Sequence, residues 1–384
     1  MDKDLRDLRR VEFPWADQTT YLNHASTGPL PERTRLVLES WNRRRTMPFT
    51  LPDPELFSVF TTARGLAARL VNAHPDEIAL ATNTTWGLAL AAAALPLGAG
   101  DVVVVSDKEF PANVYPWLLL KERGVRLDLV PTTPEGWPDE AAMLGRLERP
   151  EVKAVAVSLV QFSNGYQVDL AAFSAATRRL GKFLVVDGIQ AVGQVLVDLT
   201  RTPVDILSCG GQKWLLSGWG SGFTYVRREL IGQLRPAMTG WMAFEGTDDF
   251  SRLTAYDPTL RPDARRFEMI TLPFHDLAGF NTSVEMLLSV GIDRVAAHLA
   301  AVHAPVISAA ERSGARITSP RGARGSGILC VAPQDLAGSF ARLKAAGVHA
   351  SLREGAIRLS PHFYTTPEEM ERVAAVLESG SGGK

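Results

Sequence analysis

Two side chains in this sequence stand where chemistry would be built, a carboxylate at Asp187 and an amine at Lys213. Asp187 closes the apolar run Phe183–Val186 and is followed by Gly188 and Gln190. A second run, Val204–Leu207, leads into the small residues Ser208–Gly211, which deliver Lys213. Glycines at 218, 220 and 222 follow it. The pattern reads as an acid at the end of one buried strand and an amine shortly after the next. A loop cap and a solvated lysine would be the plain alternative, and the apolar, glycine-rich flanks count against it.

That pairing suits pyridoxal phosphate (PLP), which needs a lysine for its aldehyde and an acid to keep its pyridine nitrogen protonated. A desolvated acid facing a pyridinium stays ionised. A poorly solvated lysine beside another positive centre has a lowered pKa and can attack.

Other segments supply what such a site lacks. Ile78–Ala81 reads as a short strand, followed by Thr82-Asn83-Thr84-Thr85-Trp86-Gly87 and an alanine–leucine helix. Strand, polar turn and helix start make an anion site, with backbone N–H groups and the helix dipole converging. Plain capping by Asn83 or Thr84 is the competing reading. Arg358 lies in a short strand among apolar neighbours, where a guanidinium needs an anion and its fork matches a carboxylate. Val102–Val105 and Ala154–Val160 read as strands buried on both faces. Strand and helix patterns alternate from about residue 78 to 226, which predicts βαβ units and a mainly parallel sheet. Ligands of such sheets bind at the carboxyl ends of strands, and Thr84, Phe110, Asn164, Asp187 and Lys213 all follow strand-like runs.

The bulk numbers exclude several classes. The 384 residues carry 41 Lys+Arg against 42 Asp+Glu, so no net field favours nucleic acid or an anionic membrane. The longest apolar runs are too short to span a bilayer, and the charged start MDKDLRDLRR is not a secretory signal. Two cysteines, Cys209 and Cys330, argue against a disulfide framework and fit the cytoplasm. No G-x-G-x-x-G follows an early strand, which disfavours a dinucleotide-binding dehydrogenase. No metal site is expected.

VVDGIQAVG (185–193) followed by SCGGQKW (208–214) resembles the signature of class-V aminotransferases, the fold-type I PLP enzymes. That group also holds cysteine desulfurases, C–S lyases, kynureninases and isopenicillin N epimerase-like proteins. The resemblance runs from about Tyr21 to Glu371. It implies an α/β fold, with a large domain built on a mainly parallel sheet and a small C-terminal α/β domain. The expected division is an N-terminal arm and helix (1–45) on the substrate side, a PLP-binding domain (46–275), a small domain (276–378) and a disordered tail (379–384). A homodimer with active sites at the interface and an amino-acid substrate are also implied.

The resemblance assigns Lys213 and Asp187 their roles and places the PLP phosphate at Thr84 and Thr85. Gln212 takes the position, often histidine, that reaches the phosphate; a serine at 210 is absent, and Ser208 is a weak substitute. Phe110 stands where desulfurases carry a ring-stacking, proton-moving histidine; it can stack on the ring but moves no proton. Asn164 and Gln190 match residues near the phenolic oxygen. Trp241 and Thr271 match residues that approach the partner subunit's phosphate, although the family has Gly-Thr where Ile270-Thr271 stands. Arg358 matches the substrate-carboxylate arginine. Asn23 and His24 lie in a segment like the substrate-side loop, with a capped turn as the equal alternative. His362 and Tyr364 would shape the pocket. A desulfurase needs a mobile cysteine before Arg358, and GVHASLREG has none. The resemblance therefore points first to transamination, with C–S β-elimination and epimerisation open behind it. A non-enzymatic relative would be expected to lose Lys213, Asp187 or Arg358.

Overall fold

The computed structural model describes residues 3–269 and 273–379. Seven strands form the central sheet: β1 (Ile78–Leu80), β2 (Val102–Ser106), β3 (Arg126–Val130), β4 (Val152–Ser158), β5 (Phe183–Asp187), β6 (Ile206–Gly210) and β7 (Gly222–Val226). Their spatial order is β1-β7-β6-β5-β4-β2-β3. β7 runs against both its neighbours, β1 and β6, and every other adjacent pair is parallel. The mainly parallel α/β sheet expected from the β-branched runs is present.

Alternation along each strand feeds two cores. Val102 and Val104 pack into one, Val103 and Val105 into the other, because successive strand side chains point to opposite faces. Both faces are covered, so the runs are apolar throughout rather than alternating. Helix signals act locally as the sequence predicts. Asp169 caps helix Leu170–Leu180 by accepting from the Ala172 N–H, and Gly181 ends it at φ +63°, where glycine carries no Cβ penalty.

A four-stranded antiparallel sheet forms the smaller unit, in the order Ser351–Arg353, Ala356–Leu359, Leu329–Ala332, Arg316–Ile317. Helices Ala304–Ser313, Leu336–Ala345 and Pro367–Ser379 pack with it. The last opens on a reciprocal cap: Thr366 N donates to Glu369 Oε2 (2.7 Å) and Glu369 N to Thr366 Oγ1 (3.1 Å). The N-terminal segment joins this unit, since Thr20–Tyr21 pairs in parallel with Val348–His349. Helix Phe274–Val290 packs against both Glu32–Arg45 and Asp53–Val71. It straddles the expected boundary at 275/276, and we retain that division as a proposal. Among the described residues no single helix is long and apolar enough to cross a membrane.

Candidate active site

Parallel pairing of β5 with β6 sets Asp187 opposite Ser208 and ends both strands at the same edge. Lys213 follows three residues after Gly210. Its backbone is pinned by the N-terminal loop. Gly28 N donates to Gln212 O (2.8 Å), and a Cβ on Gly28 would lie 2.1 Å from Lys213 O. Only glycine allows that approach. The Lys213 ammonium lies 5.5 Å from the centroid of the Phe110 ring, in cation–π range.

Burial tunes both groups. Asp187 is buried, and desolvation pushes its carboxyl up to about 7. The Ile189 N–H (2.9 Å to Oδ1) opposes that rise, the Glu109 carboxylate adds to it, and Lys213 again opposes it. Burial lowers Lys213 to about 8; Asp187 holds it up and Arg358 pushes it down. Both shifts favour the neutral forms.

Arg358 is 1% exposed. Nη1 donates to Phe162 O (2.7 Å) and Nη2 to Ser26 Oγ (2.7 Å). Its Nε is buried without a partner, and among the described residues no carboxylate pairs with it. Burial, aided by the nearby Arg353, lowers it to about 10. A buried guanidinium short of both a counter-charge and a hydrogen bond is a receptor for an anion.

Helix Thr84–Ala94 presents its N-terminus beside this edge. Asn83 Oδ1 accepts from Trp86 N (3.0 Å), so the capping reading holds there. Thr84 is tied to β6: its Oγ1 accepts from Gly210 N (2.9 Å) and its carbonyl from Ser208 Oγ (2.9 Å). Ser208 therefore anchors the helix. Thr85 is exposed and lines a groove with Phe110. The Gln212 side chain folds back against Gly210.

Several expected residues are committed elsewhere in the fold. Gln190 Nε2 donates to Ala25 O (2.9 Å), and its Oε1 accepts from Trp214 Nε1 (2.8 Å). Asn164 donates to Gly136 O (2.8 Å) and accepts from Tyr166 N (3.0 Å), so both ends of its amide serve the turn. His24 Nδ1 lies 2.8 Å from Ser360 O and Nε2 lies 2.8 Å from the Tyr364 hydroxyl. A carbonyl only accepts, so Nδ1 carries the proton and Tyr364 donates to Nε2. In His362, Nδ1 accepts from Phe363 N (2.8 Å) and Nε2 donates to Trp214 O (3.1 Å). Burial pushes His24 well down and His362 to about 4, so both are neutral. Asn23 Oδ1 is buried without a partner. Trp241 is 42% exposed and meets Phe250 at 5.9 Å between ring centroids, without a contact to the Lys213 group. Thr271 lies outside the described residues.

Sequence reasoning passed over Glu109. This buried carboxylate accepts from Ser158 N (2.8 Å), from the Ser158 hydroxyl and from Gln161 Nε2 (2.8 Å). It ties the turn carrying Phe110 to the end of β4. Its only signal in the sequence is an acid directly before Phe110. Amine, acid and aromatic face thus share one edge of the central sheet, and the guanidinium, held on the smaller sheet, reaches toward it through Phe162 O. That donor set fits PLP and an amino acid.

Comparison with known proteins shows the family and the fold. The family model described as "Aminotransferase class-V" matches residues 50–373. An uncharacterized aminotransferase, YcbU of Bacillus subtilis, is 29% identical over 311 residues, covering 80% of each chain. A probable cysteine desulfurase of Methanothermobacter thermautotrophicus is 27% identical over 405 residues, covering 98% of each. Among solved structures, a mutant of C-DES with glycine covalently linked to its PLP cofactor superposes with TM-score 0.87 at 20% identity, covering 96% of this chain and 98% of that one. Another C-DES structure describes that protein as a cystine C–S lyase.

Proposed function

From the premise that this chain belongs to the class-V aminotransferase family and uses pyridoxal phosphate, we propose that it is an aminotransferase acting at the α-carbon of an amino acid. The observation that carries the reading is the buried amine–acid pair on adjoining strand ends, beside a buried guanidinium with no carboxylate partner.

In this reading Asp187 faces the ring nitrogen and Phe110 covers the ring. Gln190 and Asn164, whose amides are engaged by Ala25, Trp214, Gly136 and Tyr166, would have to release one of these bonds to reach the phenolic oxygen. Thr84, Thr85 and Gln212 hold the phosphate. Bound there, the cofactor supplies an electron sink for charge developing at the α-carbon. With the cofactor bound, Asp187 would face the ring nitrogen as a carboxylate and keep it protonated. Arg358 grips the substrate carboxylate and fixes the α-carbon relative to Lys213, with Asn23 and His24 behind it. The Lys213 amine, close to half deprotonated near pH 8, takes the α-proton and returns it.

Transamination needs no further proton carrier, and that favours it. His24 and His362 have both ring nitrogens engaged. Cys209 and Cys330 are buried, with thiols raised by burial, and residues 347–355 hold no cysteine. C–S lysis, the described activity of C-DES, is the second reading, and epimerisation shares the same proton abstraction. We further propose a cytoplasmic homodimer with the sites at its interface and Trp241 turned toward the partner's phosphate. Exposed Tyr115 and Leu119, one turn apart on helix Tyr115–Leu119, offer an apolar contact face.

The test adds amino donors to the holoenzyme and follows conversion of bound PLP to pyridoxamine phosphate. Pyruvate and sulfide released from cystine would replace the reading with a lyase. Lys213→Ala is expected to lose the visible absorbance of lysine-bound cofactor and roughly 10³-fold or more of turnover. Full activity in that variant would overturn the mechanism.

A further inference from the structure

The sheet that holds Arg358 carries a second arginine on the same face. Ser351 pairs with Arg358, Leu352 with Ile357 and Arg353 with Ala356. Opposed residues of an antiparallel pair share a face and successive residues alternate. Ser351, Arg353, Ala356 and Arg358 are therefore on one face, with Leu352 and Ile357 on the other. Arg358 shows where that face looks: its Nη1 and Nη2 reach Phe162 O and Ser26 Oγ across the cleft. Cys330, paired with Arg358 on the next strand, likewise directs Sγ to Ser163 O (3.2 Å).

Arg353 and Arg358 are diagonal neighbours, about 7–8 Å apart at the backbone. The charge of Arg353 reaches both Arg358 and the Lys213 amine, lowering each. Among the described residues no carboxylate pairs with Arg353, and its Nη1 donates to Leu352 O (2.7 Å). The tip of this hairpin carries a solvent-exposed ion pair. Glu354 Oε2 meets Lys108 Nζ at 3.5 Å, and Lys108 lies two residues before Phe110, whose ring faces Lys213. The nearby acids are already engaged, Glu109 by Ser158 and Gln161, and Asp187 by Ile189. Two guanidiniums without acid partners, one buried and one at the exposed rim, repel each other, and negative charge placed between them relieves that repulsion.

We propose that Arg353 is a second anion-binding side chain of this pocket and that the amino donor is a dicarboxylic amino acid. Its α-carboxylate would sit on Arg358 and its distal carboxylate on Arg353. This rests on the reading of Arg358 as the α-carboxylate holder. A solvated rim arginine, or one answered by a partner subunit's acid, would show no preference between diacids and monoacids.

The experiment titrates holoenzyme calorimetrically with glutarate and with butyrate, and measures kcat/KM for L-glutamate against L-glutamine. Wild type should bind glutarate about tenfold or more tighter than butyrate, in the range of charge-assisted hydrogen bonds. Arg353→Ala and Arg353→Gln should erase that ratio while leaving butyrate binding and the cofactor spectrum unchanged. Arg358→Ala should weaken both ligands. A wild-type ratio near one, or a ratio that survives in Arg353→Ala, overturns the proposal. If the ratio collapses as expected and no donor is turned over, the second anion site stands and the aminotransferase reading falls.

Discussion

The acid and the amine at the strand edge are both tuned by burial toward neutrality. Lys213 is lowered to about 8. In apoprotein its reaction with an amine-directed aldehyde such as PLP should rise with pH through a midpoint at about 8, where an exposed lysine would have its midpoint above about pH 10. Stopped-flow rates against pH would check this; a midpoint near the ordinary value would contradict it. The linkage has a definite sign. A lowered lysine pKa opposes folding below about 8, and that penalty fades as pH rises toward the unfolded value. For Asp187, raised to about 7, the penalty is absent at acid pH and grows as pH climbs from the unfolded value toward 7. Lys213, Asp187 and Arg358 were legible because a charged group in an apolar run demands an explanation. Glu109 was not, since its donors lie on Ser158 and Gln161, in a different βα unit. The engagement of His24 was hidden for the same reason, its partners being Ser360 and Tyr364.

Among elements, the contact of helix Thr84–Ala94 with β6 and β7 positions the helix N-terminus proposed to hold the phosphate. A Cβ at Gly87 would lie 2.2 Å from Thr224 Oγ1 and 2.4 Å from Ser208 Oγ. Alanine would improve helix propensity by about 1 kcal/mol, whereas overpacking costs about 1–3 kcal/mol, and here the obstruction sits on two strands. Gly87→Ala should therefore lower stability by up to about 2 kcal/mol in denaturant unfolding. It should also weaken PLP binding in a fluorescence titration, because the helix N-terminus is displaced. Unchanged affinity would separate this helix from the phosphate. The strands themselves were readable from β-branched runs. The reversed direction of β7 was not, because pairing partners leave no trace in local composition.

Over the whole molecule, the chain's two ends are clasped together. Arg9, nearly buried, donates to Glu369 Oε2 (2.8 Å), Tyr364 O (2.8 Å) and Ala16 O (2.7 Å). Glu369 also completes the cap of the last helix through Thr366 N. Arg9→Ala would strand a buried carboxylate, and breaking such a pair costs about 3–5 kcal/mol. The expected outcome is a lower unfolding midpoint together with altered substrate affinity, since Tyr364 holds His24. A double variant, Arg9→Met with Glu369→Leu, should recover much of the stability. Loss of stability equal in single and double variants would rule out the clasp. The two-unit architecture was legible in the sequence, but this closure across 360 positions was not.

Strand β1 has one sheet neighbour, β7, and roughly 140 residues separate them along the chain. As the chain leaves the ribosome, β1 therefore waits with no edge to dock on until β7 has been made. The helix it launches, proposed above to hold the phosphate, can settle only after that late arrival. Non-local closure of this kind slows folding. Truncation before residue 222 should thus yield a protein that cannot retain its vitamin, even though both Asp187 and Lys213 are already in place.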